Sequence, residues 1–256
     1  LSETLTDEQL FSFGWRIPFL ASALLVIVGL YVRLKIPETP VFQKVLDKHE
    51  RVKVPALTVF REHGRELVLG TVIALATFVL FYLMTVFALS WGTTALGFSR
   101  RDFLILQLFS VVFFALTIPV AALYADRHGR RTTLIVVSAA IALFGLVLAP
   151  MFGSGSIWQV TLFMSIGLAL MGMTYGPIGT LLSELFPAEV RYTGSSLTFN
   201  FAGILGASLA PYIATWLAKS YGLHYVGYYL SLAALLSLIA LLMIGKKKAQ
   251  YSAGAD

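Results

Sequence analysis

Four charged side chains stand between two long uncharged runs of this chain, 103–125 and 132–156. These residues are Asp126, Arg127, Arg130 and Arg131. Each run is long enough to cross a hydrocarbon core of roughly 30 Å as a helix, and Gly129 between them can adopt the positive φ that a tight reversal often needs. The chemistry open to this segment, which we call the charge turn, is ion pairing at one face of a membrane.

The charge turn has two alternative roles. Its arginines could act only as topological anchors, with Asp126 offsetting part of their charge. Alternatively, an ionised Asp126 could pair with the clustered arginines and favour one conformational state of the protein. The second role predicts that Asp126→Asn impairs function far more than it lowers the amount of folded protein.

Polar and aromatic side chains inside the apolar runs form a second set of candidates, for contact with a small solute. Tyr82 shares a helical face with Phe78, and Gln107 shares one with Thr117. Asn200 lies near mid-depth of its run. Amide and hydroxyl groups that faced lipid would be unpaired, so these should face protein or a water-filled cavity. We expect the five residues to line a substrate cavity, and hydrogen bonding between helices is the alternative for the polar ones.

Small residues recur along the run 157–182 at alternating steps of four and three, which places them on one helical face. Gly172 and Gly176 form a GxxxG pair, a spacing that lets two membrane helices approach closely. Pro177 follows directly, and Pro211 lies in a later run. Close packing and a bend during gating are the two functions that these residues predict.

Enzymatic and metal chemistry find no support in the sequence. Motifs for zinc peptidases, serine hydrolases and phosphate binding are missing, and there is no cysteine. The four histidines all lie in predicted loops or at span ends, so an intramembrane metal centre would lack ligands. The formal charge of +6 comes from basic residues at span ends rather than on one face, which argues against nucleic acid as a partner.

The composition predicts an all-α polytopic membrane protein. Hydrophobic residues make up 58% of the chain, charged residues 12%, and the mean hydropathy is +0.82, which is more apolar surface than a soluble domain could cover. A β-barrel would show ten-residue alternation instead. Seven apolar segments predict seven transmembrane helices: Trp15–Leu34, Leu67–Ser90, Phe103–Tyr124, Thr133–Phe152, Ile157–Leu182, Thr193–Ala218 and Tyr225–Gly245.

Basic residues in the loops predict the orientation. Fifteen Lys and Arg lie on the side of the charge turn and four on the opposite side, so the charge turn and the carboxyl end should be cytoplasmic and the amino end outside. The predicted parts are an extracytoplasmic segment at 1–14, a span at 15–34, a cytoplasmic loop at 35–66, a bundle at 67–245 and a cytoplasmic tail at 246–256.

Two of these parts carry local signals of helix formation. The extracytoplasmic segment contains a capping box at Thr6 to Gln9. The cytoplasmic loop has an amphipathic pattern near 41–48 and a helix start at Pro55, as expected of helices at a membrane interface; a flexible basic linker is the alternative. The chain starts with Leu1 and looks like a fragment of a longer protein.

The charge turn resembles a conserved loop of the major facilitator superfamily, Gly-x-Leu-Ala-Asp-Arg-x-Gly-Arg-Arg. The match runs from Ala121, which replaces the leading glycine, to Arg131, with Tyr124 inserted. Three further segments resemble the superfamily's sixth span, central loop and tenth-to-eleventh loop: Gly14–Phe19, Pro37–Pro40 and Glu184–Gly194. Within the superfamily the chain looks most like the metabolite:proton symporters, which carry shikimate, oxoglutarate, citrate, proline and betaine.

The resemblance implies that the chain holds spans six to twelve of a twelve-span secondary transporter, the last six forming one half of the fold. It implies partners as well: a small organic acid or zwitterionic metabolite, protons, the missing amino-terminal half, and the lipid of a bacterial inner membrane. A sugar porter-like facilitator is the alternative, although Val41-Phe42 stands where the sugar porters continue differently after Pro40. A seven-span receptor or channel is a further alternative.

The resemblance to proton symporters also bears on coupling. No Asp, Glu, Lys, Arg or His lies at membrane depth from the second apolar segment to the seventh. A proton symporter needs a group that titrates inside the membrane. We therefore expect the proton-binding carboxylate in the missing half, and substrate contact through neutral groups here.

Overall fold

The structure is a computed structural model that describes residues 6–35 and 54–244. The chain divides into two compact units, Leu1–Arg51 and Val52–Asp256. Every regular element in the described residues is helical, as the composition predicts. The amphipathic pattern near 41–48 and the tail at 246–256 lie outside the described residues.

The first unit contains a helix, α1 (Phe11–Lys35), preceded by a short turn at Asp7–Gln9. The backbone N–H of Thr6 donates to Gln9 Oε1 (3.2 Å), and the backbone N–H of Gln9 donates to Thr6 Oγ1 (3.3 Å). These reciprocal bonds confirm the predicted capping box. Residues 16–35 of α1 bury none of their side chains.

The second unit is a bundle of helices. They are α2 (Pro55–Glu62), α3 (Gly64–Thr94), α4 (Arg100–His128), α5 (Arg130–Leu146), α6 (Leu148–Phe152), α7 (Ile157–Glu184), α8 (Arg191–Ser220) and α9 (Leu223–Met243).

Six described helices are long and apolar enough to cross a membrane: α1, α3, α4, α7, α8 and α9. The prediction of seven is therefore met only in part. The expected span Thr133–Phe152 is interrupted at Val147 (φ −93°, ψ 0°), so that α5 has only 17 residues and α6 has five. Pro150 is the sequence signal for this break, because it has no backbone N–H to bond the carbonyl of Leu146, and the prediction of one continuous span overlooked it.

The helices are longer than the apolar runs, since charged residues that flank the runs are also helical. At the start of α4, the Ser99 hydroxyl accepts the backbone N–H of Asp102 (3.1 Å) and caps the helix. At its end, Gly129 adopts φ +92°, a conformation that L side chains rarely adopt. The chain thus reverses directly from α4 into α5 at the charge turn.

Within the second unit, two spans contain a wider π-helical segment: Leu83–Phe87 in α3 and Ile204–Ser208 in α8. Such single-turn segments shift the register of the side chains beyond them and are frequent at functional sites. The two helices touch closely near these segments, since a Cβ at Gly206 would lie 2.5 Å from Phe78 Cβ.

Close backbone contacts and interhelical hydrogen bonds hold the bundle together. A Cβ at Gly145 would lie 2.6 Å from the carbonyl oxygen of Gly227, so α5 and α9 meet at their backbones. The Ser231 hydroxyl donates to Ala142 O on α5 (2.7 Å), and the Ser237 hydroxyl donates to Val72 O on α3 (2.7 Å). The last helix is therefore fixed to both α5 and α3.

Candidate functional site

A cavity of about 320 Å³ lies between the middle parts of α3, α4, α7 and α8, and we call it the aromatic chamber. Its lining residues are Thr77, Phe78, Phe81, Tyr82, Phe114, Ile118, Met171, Tyr175 and Phe199. Two of the five expected cavity residues, Phe78 and Tyr82, are among them. The other three lie elsewhere.

Asn200 lines a second cavity, of about 240 Å³, which we call the polar pocket. The other lining residues are Gly179, Leu182, Tyr192, Ser195, Ser196 and Phe199. Asn200 Nδ2 donates to Ser196 O one turn earlier in the same helix (2.8 Å). Phe199 lines both cavities, so its ring lies between the aromatic chamber and the polar pocket.

Gln107 lines a third cavity, of about 520 Å³, between α3 and α4. Its Nε2 donates to the carbonyl oxygens of Met84 (2.9 Å) and Thr85 (3.0 Å), both within the π-helical segment of α3. The Gln107 amide therefore bridges α4 to the backbone of α3. This is the interhelical hydrogen bonding that the sequence left open as the alternative for a polar group.

Thr117 and the glycines of the GxxxG pair lie at the contact between α4 and α7. Thr117 Oγ1 is 2.9 Å from Ala169 O, within hydrogen-bond distance across the two helices. A Cβ at Gly172 would clash with Phe114 O and Thr117 Oγ1, and one at Gly176 would lie 2.7 Å from Ile118 O. The two helices thus meet at their backbones just behind the aromatic chamber.

The two prolines differ in their positions. Pro177 lies inside α7 and is buried, so the helix lacks one backbone N–H directly after Gly176. Pro211 lies in α8, in the first turn after the π-helical segment, where a proline is well tolerated. Its carbonyl oxygen accepts the Thr215 hydroxyl (2.7 Å).

The charge turn is organised around Arg130. Its Nη1 lies 2.6 Å from Glu184 Oε1 at the end of α7, and its Nη2 lies 3.2 Å from Asp126 Oδ1. The Glu184 side chain is only 9% exposed, whereas the Asp126 side chain is 63% exposed. The pair with Glu184 is therefore the better shielded from solvent, and it links α5 to α7.

Arg131 extends the charge turn to α9. Its Nε donates to Leu241 O (2.8 Å), and its Nη2 donates to Leu242 O (3.2 Å). Carbonyl groups in the last turn of a helix lack intrahelical partners and carry partial negative charge, so a guanidinium is favourable there. Arg127 is exposed at the end of α4.

Several residues of these regions were missed by the sequence reasoning. Glu184 belonged to a recognised loop motif but was not assigned a role, although it is the buried carboxylate at the charge turn. Tyr175, Phe81 and Phe199 were not singled out, because a sequence does not show which helix faces converge. Within residues 6–35 and 54–244, no group of three or more His, Cys, Asp or Glu could hold a metal ion.

Comparison with known proteins identifies the family. The model of the Major Facilitator Superfamily matches residues 9–207. The inner membrane metabolite transport protein YhjE of Escherichia coli is 50% identical over 98% of this chain and 58% of its own length. The comparison with solved structures gives no significant match.

Two further relatives are named for their substrates. The proline/betaine transporter of Salmonella typhimurium is 29% identical over 93% of this chain and 50% of its own length. The shikimate transporter of Escherichia coli is 31% identical over 97% of this chain and 58% of its own length. The chain spans about half the length of these relatives. It is a multi-pass membrane protein rather than an enzyme, and it belongs to the major facilitator superfamily, with its relatives among the metabolite transport proteins.

Proposed function

We propose that this chain forms the carboxyl-terminal half of a secondary transporter that carries a small metabolite together with protons by alternating access. In transporters of this build, substrate sits near the bilayer midplane between two halves that rock against each other. The aromatic chamber carries the proposal, because it lies at the middle of α3, α4, α7 and α8. In this proposal, α5 and α6 together cross the membrane once, between α4 and α7, so that the half has six crossings in all.

The proton-binding group is assigned to the other half. The uncharged stretches 67–99, 103–125, 132–183, 192–218 and 225–243, which contain the predicted second to seventh spans between their ends, include no Asp, Glu, Lys, Arg or His. A group that titrates while the cavity opens to alternate sides is the usual device of proton symport. This chain then contributes neutral contacts to substrate, and the partner half contributes the titrating carboxylate.

The charge turn is proposed to hold one conformational state. Arg130 connects α4, α5 and α7 through its two carboxylates, and Arg131 connects α5 to the end of α9. Because these contacts join four helix ends at one face of the bundle, relative movement of those ends would break them. The state in which the contacts are formed is therefore favoured by their summed free energy.

Transport is tested by supplying the other half. The chain is joined to the amino-terminal portion of the Escherichia coli relative YhjE, and uptake is measured against a panel of organic acids and zwitterions. This joined protein should take up at least one of them with protons, whereas the 256 residues alone should insert into the membrane without such uptake. Substrate-driven proton uptake in proteoliposomes that hold only the 256 residues would contradict the half-transporter proposal.

Orientation is tested with single cysteines, since the chain has none of its own. We expect Ser154, in the loop before α7, to be outside and the charge turn to be cytoplasmic. A Ser154→Cys variant should react with an impermeant reagent in intact cells, and a Thr132→Cys control should react only after lysis. Labelling of the Ser154→Cys variant only after lysis would reverse the assignment.

A further inference from the structure

Six aromatic rings line the aromatic chamber, and they form three edge-to-face pairs. The ring centroids lie 4.8 Å apart in Phe78–Phe199, 5.2 Å in Phe81–Tyr82 and 5.8 Å in Phe114–Tyr175, with interplanar angles of 68°, 85° and 62°. Each of the four helices around the chamber contributes at least one ring. None of the six aromatic residues is fully buried.

The remaining lining residues carry no charge. They are Thr77, Ile118 and Met171. A carboxylate placed in the chamber would therefore lose its hydration without gaining a cationic partner from this lining, which is unfavourable. A cation in the chamber would lie among six aromatic rings, and a ring attracts a cation at its face through its quadrupole, more strongly when water is excluded.

We propose that the aromatic chamber binds the onium end of the transported metabolite, that is, a substituted ammonium group. The proposal rests on the proposed transport function and narrows its substrate class from organic acids and zwitterions to molecules that carry such a group. A compact cation with several alkyl substituents suits a cavity of about 320 Å³ lined by six rings, because it is weakly hydrated and has apolar surface on all sides. Any carboxylate of the same molecule lies outside the chamber.

A neutral apolar group of the same shape would also fill the chamber, so shape and charge have to be separated. Glycine betaine and 3,3-dimethylbutanoate serve as probes, because they differ in having a quaternary nitrogen or a quaternary carbon at the same position. Both keep the carboxylate. A difference in their binding therefore reports the positive charge rather than the fit.

The 256-residue chain is placed in lipid nanodiscs, and saturation transfer to the methyl protons of each probe is measured by NMR, with the signal from empty nanodiscs subtracted. This readout detects weak binding and requires no transport. We expect glycine betaine to bind at least about fivefold more strongly than 3,3-dimethylbutanoate. Equal binding of the two probes, or binding of neither, would overturn the proposal.

Variants locate the binding in the chamber. Phe114→Leu removes one ring and should reduce the preference for glycine betaine by about threefold, whereas Phe114→Tyr keeps the ring and should preserve it. Phe109→Leu is the matched control, since Phe109 lies on the same helix with 54% of its surface exposed. Tyr175→Leu removes a ring that α7 contributes to the chamber, and it should reduce the preference for glycine betaine in the same way. An unchanged preference in both leucine variants of the chamber would also overturn the proposal.

The two proposals fail separately. Uptake of an organic acid by the joined protein, with equal probe binding, would leave the transport function standing and remove the onium site. Selective binding of glycine betaine without uptake of any metabolite by the joined protein would leave the onium site standing and remove the transport function.

Discussion

The aromatic chamber and the charge turn both involve α4 and α7, yet their chemistry differs completely. On α4, Phe114 lines the chamber and Asp126 lies in the charge turn, roughly 18 Å apart along the helix. On α7, Tyr175 lines the chamber and Glu184 pairs with Arg130 of the charge turn, and the two residues are roughly 14 Å apart along the helix. The chamber is lined only by aromatic rings and other uncharged side chains, whereas the charge turn forms ion pairs between fully charged side chains.

The difference follows from depth. A full charge at the middle of a helix bundle needs a partner in a medium of low dielectric constant, while at a helix end it meets water and unpaired carbonyl groups. The backbone contact of α4 and α7 at Gly172 and Gly176 joins the two regions into one packed pair. We therefore expect damage to the charge turn to impair transport, and damage to the packed pair to affect both regions.

The largest effect should come from the buried carboxylate. Glu184→Gln in the joined protein removes the charge that faces Arg130, and a hydrogen bond between charged groups contributes about 2 kcal/mol, so uptake should fall by about tenfold or more at equal membrane abundance. Glu189→Gln, in the loop after α7, is the control and should keep most of the uptake. Equal loss in both variants would show that the ion pair has no special role.

The packed pair is tested next, through stability. A Cβ at Gly172 would clash with Phe114 O and Thr117 Oγ1, whereas a Cβ at Gly179 would meet nothing within 4 Å. Gly172→Ala should therefore lower the free energy of unfolding by about 1–3 kcal/mol, and Gly179→Ala should change it by less than about 0.5 kcal/mol. Unfolding of the purified 256-residue chain in detergent measures both. Equal free energies of unfolding for the two variants would show that the close contact at Gly172 does not contribute to stability.

Asp126→Asn should have a smaller effect than Glu184→Gln, because the Asp126 side chain is 63% exposed and its ion pair with Arg130 is screened by solvent. We expect uptake by the joined protein to fall by about threefold without a loss of folded protein. Uptake equal to that of the parent, at equal abundance, would leave the anchor role as the explanation for this aspartate.

The smallest effect is expected at Thr117. Thr117→Val removes the hydroxyl near Ala169 O but keeps the shape of the side chain, and interhelical hydrogen bonds of this kind contribute about 0.6 kcal/mol in membrane proteins. The free energy of unfolding should fall by about that amount, with uptake unchanged. A strong loss of uptake with unchanged stability would instead indicate contact between the hydroxyl and substrate.

Six of the seven expected spans could be predicted from the sequence, because apolar run length and charge position determine them. The π-helical segment at Leu83–Phe87 could not, since that stretch has neither proline nor glycine. Its carbonyl groups at Met84 and Thr85 are bonded by Gln107, which lies more than twenty positions further along the chain. A local pattern does not record such a tertiary partner.

Two residues of the aromatic chamber, Phe78 and Tyr82, were expected to line a cavity, because they share a helical face. Tyr82 stood out as a polar side chain in an apolar run, and it does line the aromatic chamber. Tyr175 and Phe199 also line the chamber but were not singled out, because an aromatic residue in a membrane helix faces lipid, protein or a cavity with the same sequence pattern. The helix packing decides among these, and the GxxxG pair indicated only that some close contact exists.

The bonds from Arg131 to Leu241 and Leu242 have a consequence for biosynthesis. Synthesis proceeds from the amino end, so the ribosome makes the charge turn about 110 residues before the carbonyl groups that Arg131 binds. Until α9 has been made and inserted, the Arg131 guanidinium has to be satisfied by water or lipid phosphate. Helix α9 therefore completes the end of the bundle that carries the charge turn, and nascent chains halted before Leu241 should remain open to proteolysis at the charge turn.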